Sequence, residues 1–127
     1  MKYLSQEYLD EQRAISQEFQ DRPGASARIQ NVVSGGPDGE VRYYWLVENG
    51  KFAETGLGDI DDPDFTLTVS YDNSVKLLTG ELNPQVALMT GKLKVRGAMG
   101  KLLSLLPLTQ SEDFKSMQDK LRTAAGL

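Results

Sequence analysis

The sequence predicts an α+β fold: a largely antiparallel sheet of five strands with about five helices. Three observations carry this. Apolar residues recur at helical spacing early in the chain, alternate at strand period through its middle, and return to helical spacing with one strand interposed. Asn49-Gly50 stands between two alternating runs, and both central residues of a type I′ hairpin turn need positive φ. Pro and Gly fall at the joints between the periodic runs.

Taken in order, Leu4 to about Asp21 reads as a helix, with Leu4, Tyr8, Ile15 and Phe19 on one face, Ser5 as cap and Pro23-Gly24 as stop. Ala25 to Val33 reads as the first strand, and Gly35-Gly36-Pro37-Asp38-Gly39 as a turn. In Val41 to Glu48, Val41, Tyr43, Trp45 and Val47 share a face. Lys51 to Thr55 is the return strand of the Asn-Gly hairpin. Phe65, Leu67, Val69 and Tyr71 alternate with Thr66, Thr68 and Ser70, giving a fourth strand with one buried face. Asp72 or Asn73 caps a helix through Leu82, with Val75, Leu78 and Leu82 on its stripe. Asn83-Pro84 opens a short helix ending at Gly91, Asn as cap and Pro at the first helical position. Lys92 to Arg96 is the fifth strand, Leu93 and Val95 inward. Ala98 to Leu106 is an apolar helix ended by Pro107. Thr109, Ser111 or Asp113 starts the last helix, with Phe114, Met117 and Leu121 inside.

The chain has 127 residues, the length of one domain, so residues 1–127 are expected to form a single unit. It contains no Cys and no His. That argues against disulfides, thiolate nucleophiles, imidazole bases and nearly every zinc site. A net charge of −4 makes nucleic acid an unexpected partner and membrane contact transient at most. No apolar run approaches the ~18 residues of a membrane-spanning helix. The first residues lack a signal-peptide core, so the cytoplasm is the expected location.

Motif by motif, enzyme chemistry finds no footing. The acidic loop from Asp59 to Asp64 fails the calcium-loop spacing, because Pro63 and Asp64 stand where Asp or Asn and then Gly belong, and Ser70 replaces the bidentate Glu. Gly56-Leu57-Gly58 and Gly100-Lys101 lack the partner glycines of phosphate-binding loops. No catalytic residue, metal ligand set or cofactor is expected. Lys92, Lys94, Arg96 and Lys101 form the local basic cluster, read as a solvated face or as a weak contact for lipid headgroups or an acidic ligand end. The odd feature is apolar excess late in the chain, in Val86 to Met89 and Leu102 to Leu108. A helix apolar on several sides must be covered by something besides one sheet face. A packed core or a cavity for an apolar ligand both satisfy that.

From Asp64 to about Leu106 the chain resembles the sterol carrier protein type 2 family of non-specific lipid-transfer domains. The residues that carry the likeness are Asp64-Phe65-Thr66-Leu67-Thr68-Val69, Leu77-Leu78-Thr79-Gly80-Glu81-Leu82-Asn83-Pro84-Gln85 and Ala87, followed by Gly91-Lys92-Leu93-Lys94-Val95-Arg96-Gly97 and Met99-Gly100. They span about a third of the chain. Ala98 departs from the family's Asn or Asp, which weakens the following helix cap by roughly 0.5–2 kcal/mol.

The resemblance implies a five-stranded mixed sheet, helices over one face and a hydrophobic tunnel between the two. It implies non-covalent binding of fatty acids, fatty acyl-CoAs or sterols with loose selectivity. An apolar tunnel rewards any apolar chain at ~25 cal/mol per Å² and discriminates little. The implied lining is Leu77 and Leu78, then Gln85, Val86, Leu88 and Met89, then Leu102, Leu103, Leu106 and Met117, over a floor of Trp45, Phe65 and Leu67. Gln85, the one amide among them, either bonds a ligand oxygen or ties down its helix. A monomer or weak homodimer is expected. The alternative is an accessory or partner-docking subunit of a lipid- or steroid-metabolising enzyme, with no ligand transfer of its own.

Overall fold

The computed structural model describes Met1–Leu127. Its elements run α1 (Gln6–Ser16), β1 (Ala27–Gly36), β2 (Gly39–Glu48), β3 (Lys51–Leu57), β4 (Phe65–Ser70), α2 (Tyr71–Thr79), α3 (Pro84–Met89), β5 (Leu93–Gly97), α4 (Met99–Ser104), α5 (Leu106–Thr109) and α6 (Glu112–Ala124). The five strands form one sheet in the order β3-β2-β1-β4-β5. Only β1 and β4 run parallel, so the sheet is mixed and mostly antiparallel.

Register sorts the side chains. Ala27, Ile29, Asn31 and Val33 of β1 share a face with Val41, Tyr43, Trp45 and Val47 of β2 and with Phe65, Leu67 and Val69 of β4. Leu93 and Val95 of β5 continue that face. Against it pack Leu9 from α1, Leu78 from α2, Leu105, Leu108 of α5, and Met117 and Leu121 from α6, forming one buried cluster. The other face carries Arg28, Gln30, Arg42, Tyr44, Thr66, Thr68, Lys94 and Arg96. The loop after β3 crosses this face. Gln30 Nε2 donates to the carbonyls of Tyr43 and Gly58, and Gln30 Oε1 accepts from the Ile60 N–H. Asp59 pairs with Arg42 at 2.7 Å, and Asp64 accepts from the Arg28 N–H, so the acidic loop serves as a clasp.

Several expected boundaries move, each for a local reason. The first helix stops at Ser16 rather than near Asp21, because the Gln17 N–H turns onto the carbonyls of Ala14 and Ile15 and the Ser16 hydroxyl accepts from the Phe52 N–H. Leu4 precedes the helix at φ 61 and is still buried. The first strand begins at Ala27 and runs on to Gly36. The Asn49-Gly50 turn has φ values of 50° and 85°, as a type I′ turn requires. A register shift beside it leaves Ala53 without a partner and lets Phe52 point inward opposite Val47. Ser70, not Asp72 or Asn73, caps α2 by accepting from the Asn73 N–H. Gly80 ends that helix in the left-handed region, and Leu82 tucks in after it. Pro107 does not end a helix. The chain breaks at Leu105, and Pro107 sits in the first turn of α5, where its missing N–H costs nothing. That break makes six helices of the expected five.

Candidate functional site

The inner sheet face is sealed unevenly. Over β1–β3 it is closed by α1 and α2, with α6 packed against both. Trp45 stacks on Phe52 at 5.3 Å between centroids, and its indole N–H donates to Gln12 Oε1 at 2.9 Å. Tyr43 is buried beside them, and burial together with the nearby Tyr3 and Tyr8 hydroxyls raises its own hydroxyl well above the ordinary tyrosine range. Tyr3, which donates to Ser74 Oγ, is pushed up to about 12 by burial. These hydroxyls stay protonated at neutral pH and belong to the core.

Over β4 and β5 the cover is thin. It consists of α2 and α4 on β4 and α3 on β5, and α3 and α4 are helices of six residues each. In α3 only Ala87 is buried, in α4 nothing is, and β5 has no buried residue. Asn83 sets the direction of α3 by accepting from the N–H groups of Gln85 and Val86, while Ala98 offers α4 no side-chain cap. The Ala98 N–H bonds to the Asp64 carbonyl instead, which ties the start of α4 to β4.

The thirteen expected lining residues divide accordingly. Phe65, Leu78 and Met117 lie in the sealed cluster. Leu67 and Leu102 pack on its margin, half-buried, and Trp45 joins it on the α1 side. Leu77, Leu88 and Leu106 are half-buried. Gln85 is exposed, as are Val86 (48%), Leu103 (59%) and Met89 (86%). The structure thus brings together Phe65, Leu67, Leu78, Leu102 and Met117. It sets Gln85, Val86, Met89 and Leu103 at the surface. A cleft of about 590 Å³ lies elsewhere, between the residues around Lys2–Gln6 and the β1–β2 turn, and includes none of the thirteen.

The expected lining left out Leu105 and Leu108, which are the buried leucines of the stretch from Met99 to Thr109. It also passed over Asn31. Asn31 occupies the inward row Ala27-Ile29-Asn31-Val33 of the middle strand, and strand alternation alone places it there. Chemically, the inner face is a surface for apolar matter. None of the inward strand side chains is charged.

A mixed five-stranded sheet, covered on one face by helices that thin out over its β4–β5 end, defines the architecture of a sterol-carrier domain. The chain belongs to the SCP-2 sterol transfer family, whose model matches residues 19–110. It is 39% identical over 83 residues to sterol carrier protein 2 of Rattus norvegicus, covering 64% of this chain and 15% of that protein. It is 33% identical over 92 residues to hydroxysteroid dehydrogenase-like protein 2 of Bos taurus, covering 72% of this chain and 22% of that one. The chain therefore spans less than a quarter of the curated relatives it matches. A crystal structure of sterol carrier protein 2 shares the fold at a TM-score of 0.71 and 16% identity, covering 95% of this chain and 98% of that one. The solution structure of sterol carrier protein domain 2 of Helicoverpa armigera matches at 30% identity and a TM-score of 0.56, covering 82% and 72%. Membership assigns lipid binding or transfer in general. No helix is long and apolar enough to cross a membrane.

Proposed function

We propose that the chain binds lipids without covalent chemistry, between the β4–β5 end of the sheet and α2–α6, and passes them on in the cytoplasm. Fatty acids, fatty acyl-CoAs and sterols are the ligand classes. The observation that carries the reading is the thin cover. Leu67, Leu88, Leu93, Val95, Leu102 and Leu106 are left half-buried around a sealed core, so apolar surface is available to a ligand by displacement of short helices. Such helices sit at the low end of local stability. Titration with a fluorescent polyene fatty acid and with the neutral dye N-phenyl-1-naphthylamine is expected to saturate at one ligand per chain. No saturable signal from either up to roughly 100 μM, or about −5.5 kcal/mol, overturns the reading.

Lipid exchange needs a membrane, and one edge suits it. Residues 82–111 contain no Asp or Glu but hold Lys92, Lys94, Arg96 and Lys101, in a chain of net charge −4. All four are exposed, and none is ion-paired. The same stretch displays Val86, Met89, Met99 and Leu103 to solvent. Cations near an anionic leaflet gain ~1 kcal/mol each. Sedimentation with phosphatidylserine vesicles is therefore expected to capture the protein. Lys94→Glu with Arg96→Glu is expected to weaken capture at least tenfold without lowering the melting temperature. Equal capture by phosphatidylcholine vesicles, or an unaffected double variant, contradicts this edge.

A further inference from the structure

Asn31 is 4% exposed, and its Nδ2 has no hydrogen-bond partner. The other buried polar side chains are engaged. Gln12 accepts from Trp45, and Ser16 accepts from the Phe52 N–H. Gln30 bonds three backbone groups of the β2 and post-β3 segments, Thr55 donates to the Leu9 carbonyl, and Ser74 donates to the Tyr71 carbonyl. A buried donor without a partner costs about 1–3 kcal/mol, whereas an apolar group of the same shape would cost nothing of the kind. This one sits midway along the central strand on the helix-covered face. Ile29 and Val33 flank it along β1, with Tyr43 and Leu67 opposite it on the neighbouring strands. A buried water needs two to four polar partners. Of those four neighbours only Tyr43 carries a polar side-chain atom, and its hydroxyl lies toward Tyr3 and Tyr8.

We propose that Asn31 Nδ2 donates to the oxygen of a bound lipid whose head is an uncharged hydroxyl or carbonyl, as in a sterol, and that such a lipid enters head first, whereas the fatty acids and acyl-CoAs named above bind without this bond. This rests on the lipid-binding reading above. The lack of charge on the inner face selects the head. No inward strand side chain is charged, and Lys94 and Arg96 lie on the opposite face. A carboxylate brought to Asn31 would lose its hydration with one amide and no countercharge to replace it. A hydroxyl or ester carbonyl needs one donor, which Asn31 supplies. Selectivity among apolar ligands of equal length then resides in this residue, since the rest of the inner face rewards apolar area alone.

The test is displacement of N-phenyl-1-naphthylamine by 1-dodecanol, dodecane and dodecanoate at pH 8, in the full chain and in Asn31→Leu. Leu repeats the branched four-atom shape of Asn and removes the unanswered donor, so the variant is expected to melt at or above the wild type. Its ratio of dodecanol to dodecane affinity is expected to fall at least tenfold, which is ~1.4 kcal/mol. In the wild type, dodecanoate is expected to displace at least tenfold less well than dodecanol. The Asn31 side-chain ¹⁵NH₂ signals of the wild type are expected to shift with dodecanol and not with dodecane, a readout that holds even if the variant fails to fold. An affinity ratio unchanged within twofold, or side-chain signals that dodecanol leaves unmoved, overturns the role of Asn31 while lipid binding stands. Equal displacement by dodecanoate and dodecanol overturns the neutral head. Failure of the dye to bind the wild type removes the lipid-binding reading and this inference together.

Discussion

Gly97→Ala is expected to destabilise the protein by about 4 kcal/mol and to lower its melting midpoint by roughly 15 °C. Gly97 ends β5 at φ +123, a region L side chains rarely adopt. Holding a non-glycine residue there costs ~1–3 kcal/mol by itself. A Cβ at this position would also stand 2.5 Å from the Asp64 carbonyl oxygen and 2.8 Å from Phe65 Cα. Both are backbone, so no side-chain rotation relieves the clash, and overpacking adds a further ~1–3 kcal/mol. The neighbours cannot retreat cheaply. Phe65 is paired with Gly97 in the ladder and buried in the core, and the Asp64 carbonyl accepts the Ala98 N–H at 2.8 Å. The comparison is Gly100→Ala, one turn on in α4, with open space around the added Cβ and no positive φ. That change is expected to raise stability by ~0.5–1 kcal/mol. Thermal melts of the two variants decide it. A Gly97→Ala midpoint within 3 °C of the wild type contradicts the close approach of β5 to β4.

The contrast shows what could be read from residues alone. The strands were legible because Phe65-Thr66-Leu67-Thr68-Val69 and Lys92-Leu93-Lys94-Val95-Arg96 alternate cleanly, and period two assigns faces without reference to neighbours. The caps Ser5 and Asn83 were legible for the same local reason, and Ser111 stood among three candidates: each side-chain oxygen meets an N–H two or three residues on. The late helices were not. From Met99 to Leu108 the chain offers leucine on nearly every side, and Lys101 and Ser104 alone are too few to mark an outer face. The expectation placed Leu102, Leu103 and Leu106 inward, whereas the break at Leu105 rotates Leu105 and Leu108 into the core and leaves Leu103 outside. The Ala53 irregularity was equally hidden, because a one-residue insertion in a strand is set by the partner strand's register. The inward position of Asn31 follows from alternation. That nothing answers its amide depends on Tyr43 and Leu67, which reach it from other strands.

A fragment of residues 19–110, the stretch over which the family match runs, is expected not to fold. The match omits α1 and α6, yet the two helices touch each other across the inner face and close the core. Without them, Leu4, Tyr8, Leu9, Met117 and Leu121 leave a buried cluster of 17 residues. Truncating one buried leucine or methionine to alanine costs ~2–5 kcal/mol. Five losses of that order come to about 10–25 kcal/mol, which matches or exceeds the ~5–15 kcal/mol that hold a whole domain together. The polar losses act in the same direction. The Phe52 N–H would lose Ser16 Oγ at 3.0 Å, the Trp45 indole N–H would lose Gln12 at 2.9 Å, and Thr55 would lose the Leu9 carbonyl at 2.8 Å. Each leaves a group in the sheet without its partner, at about 1–3 kcal/mol where it stays buried. We therefore expect residues 1–127 to be the folding unit, with Trp45 fluorescence and far-ultraviolet dichroism melting together in the full chain. The fragment is expected to give collapsed amide proton dispersion and no cooperative melt. A fragment with dispersed amides and a sharp transition would show that α1 and α6 are additions to a self-sufficient sheet, and would place the folding unit inside the family match.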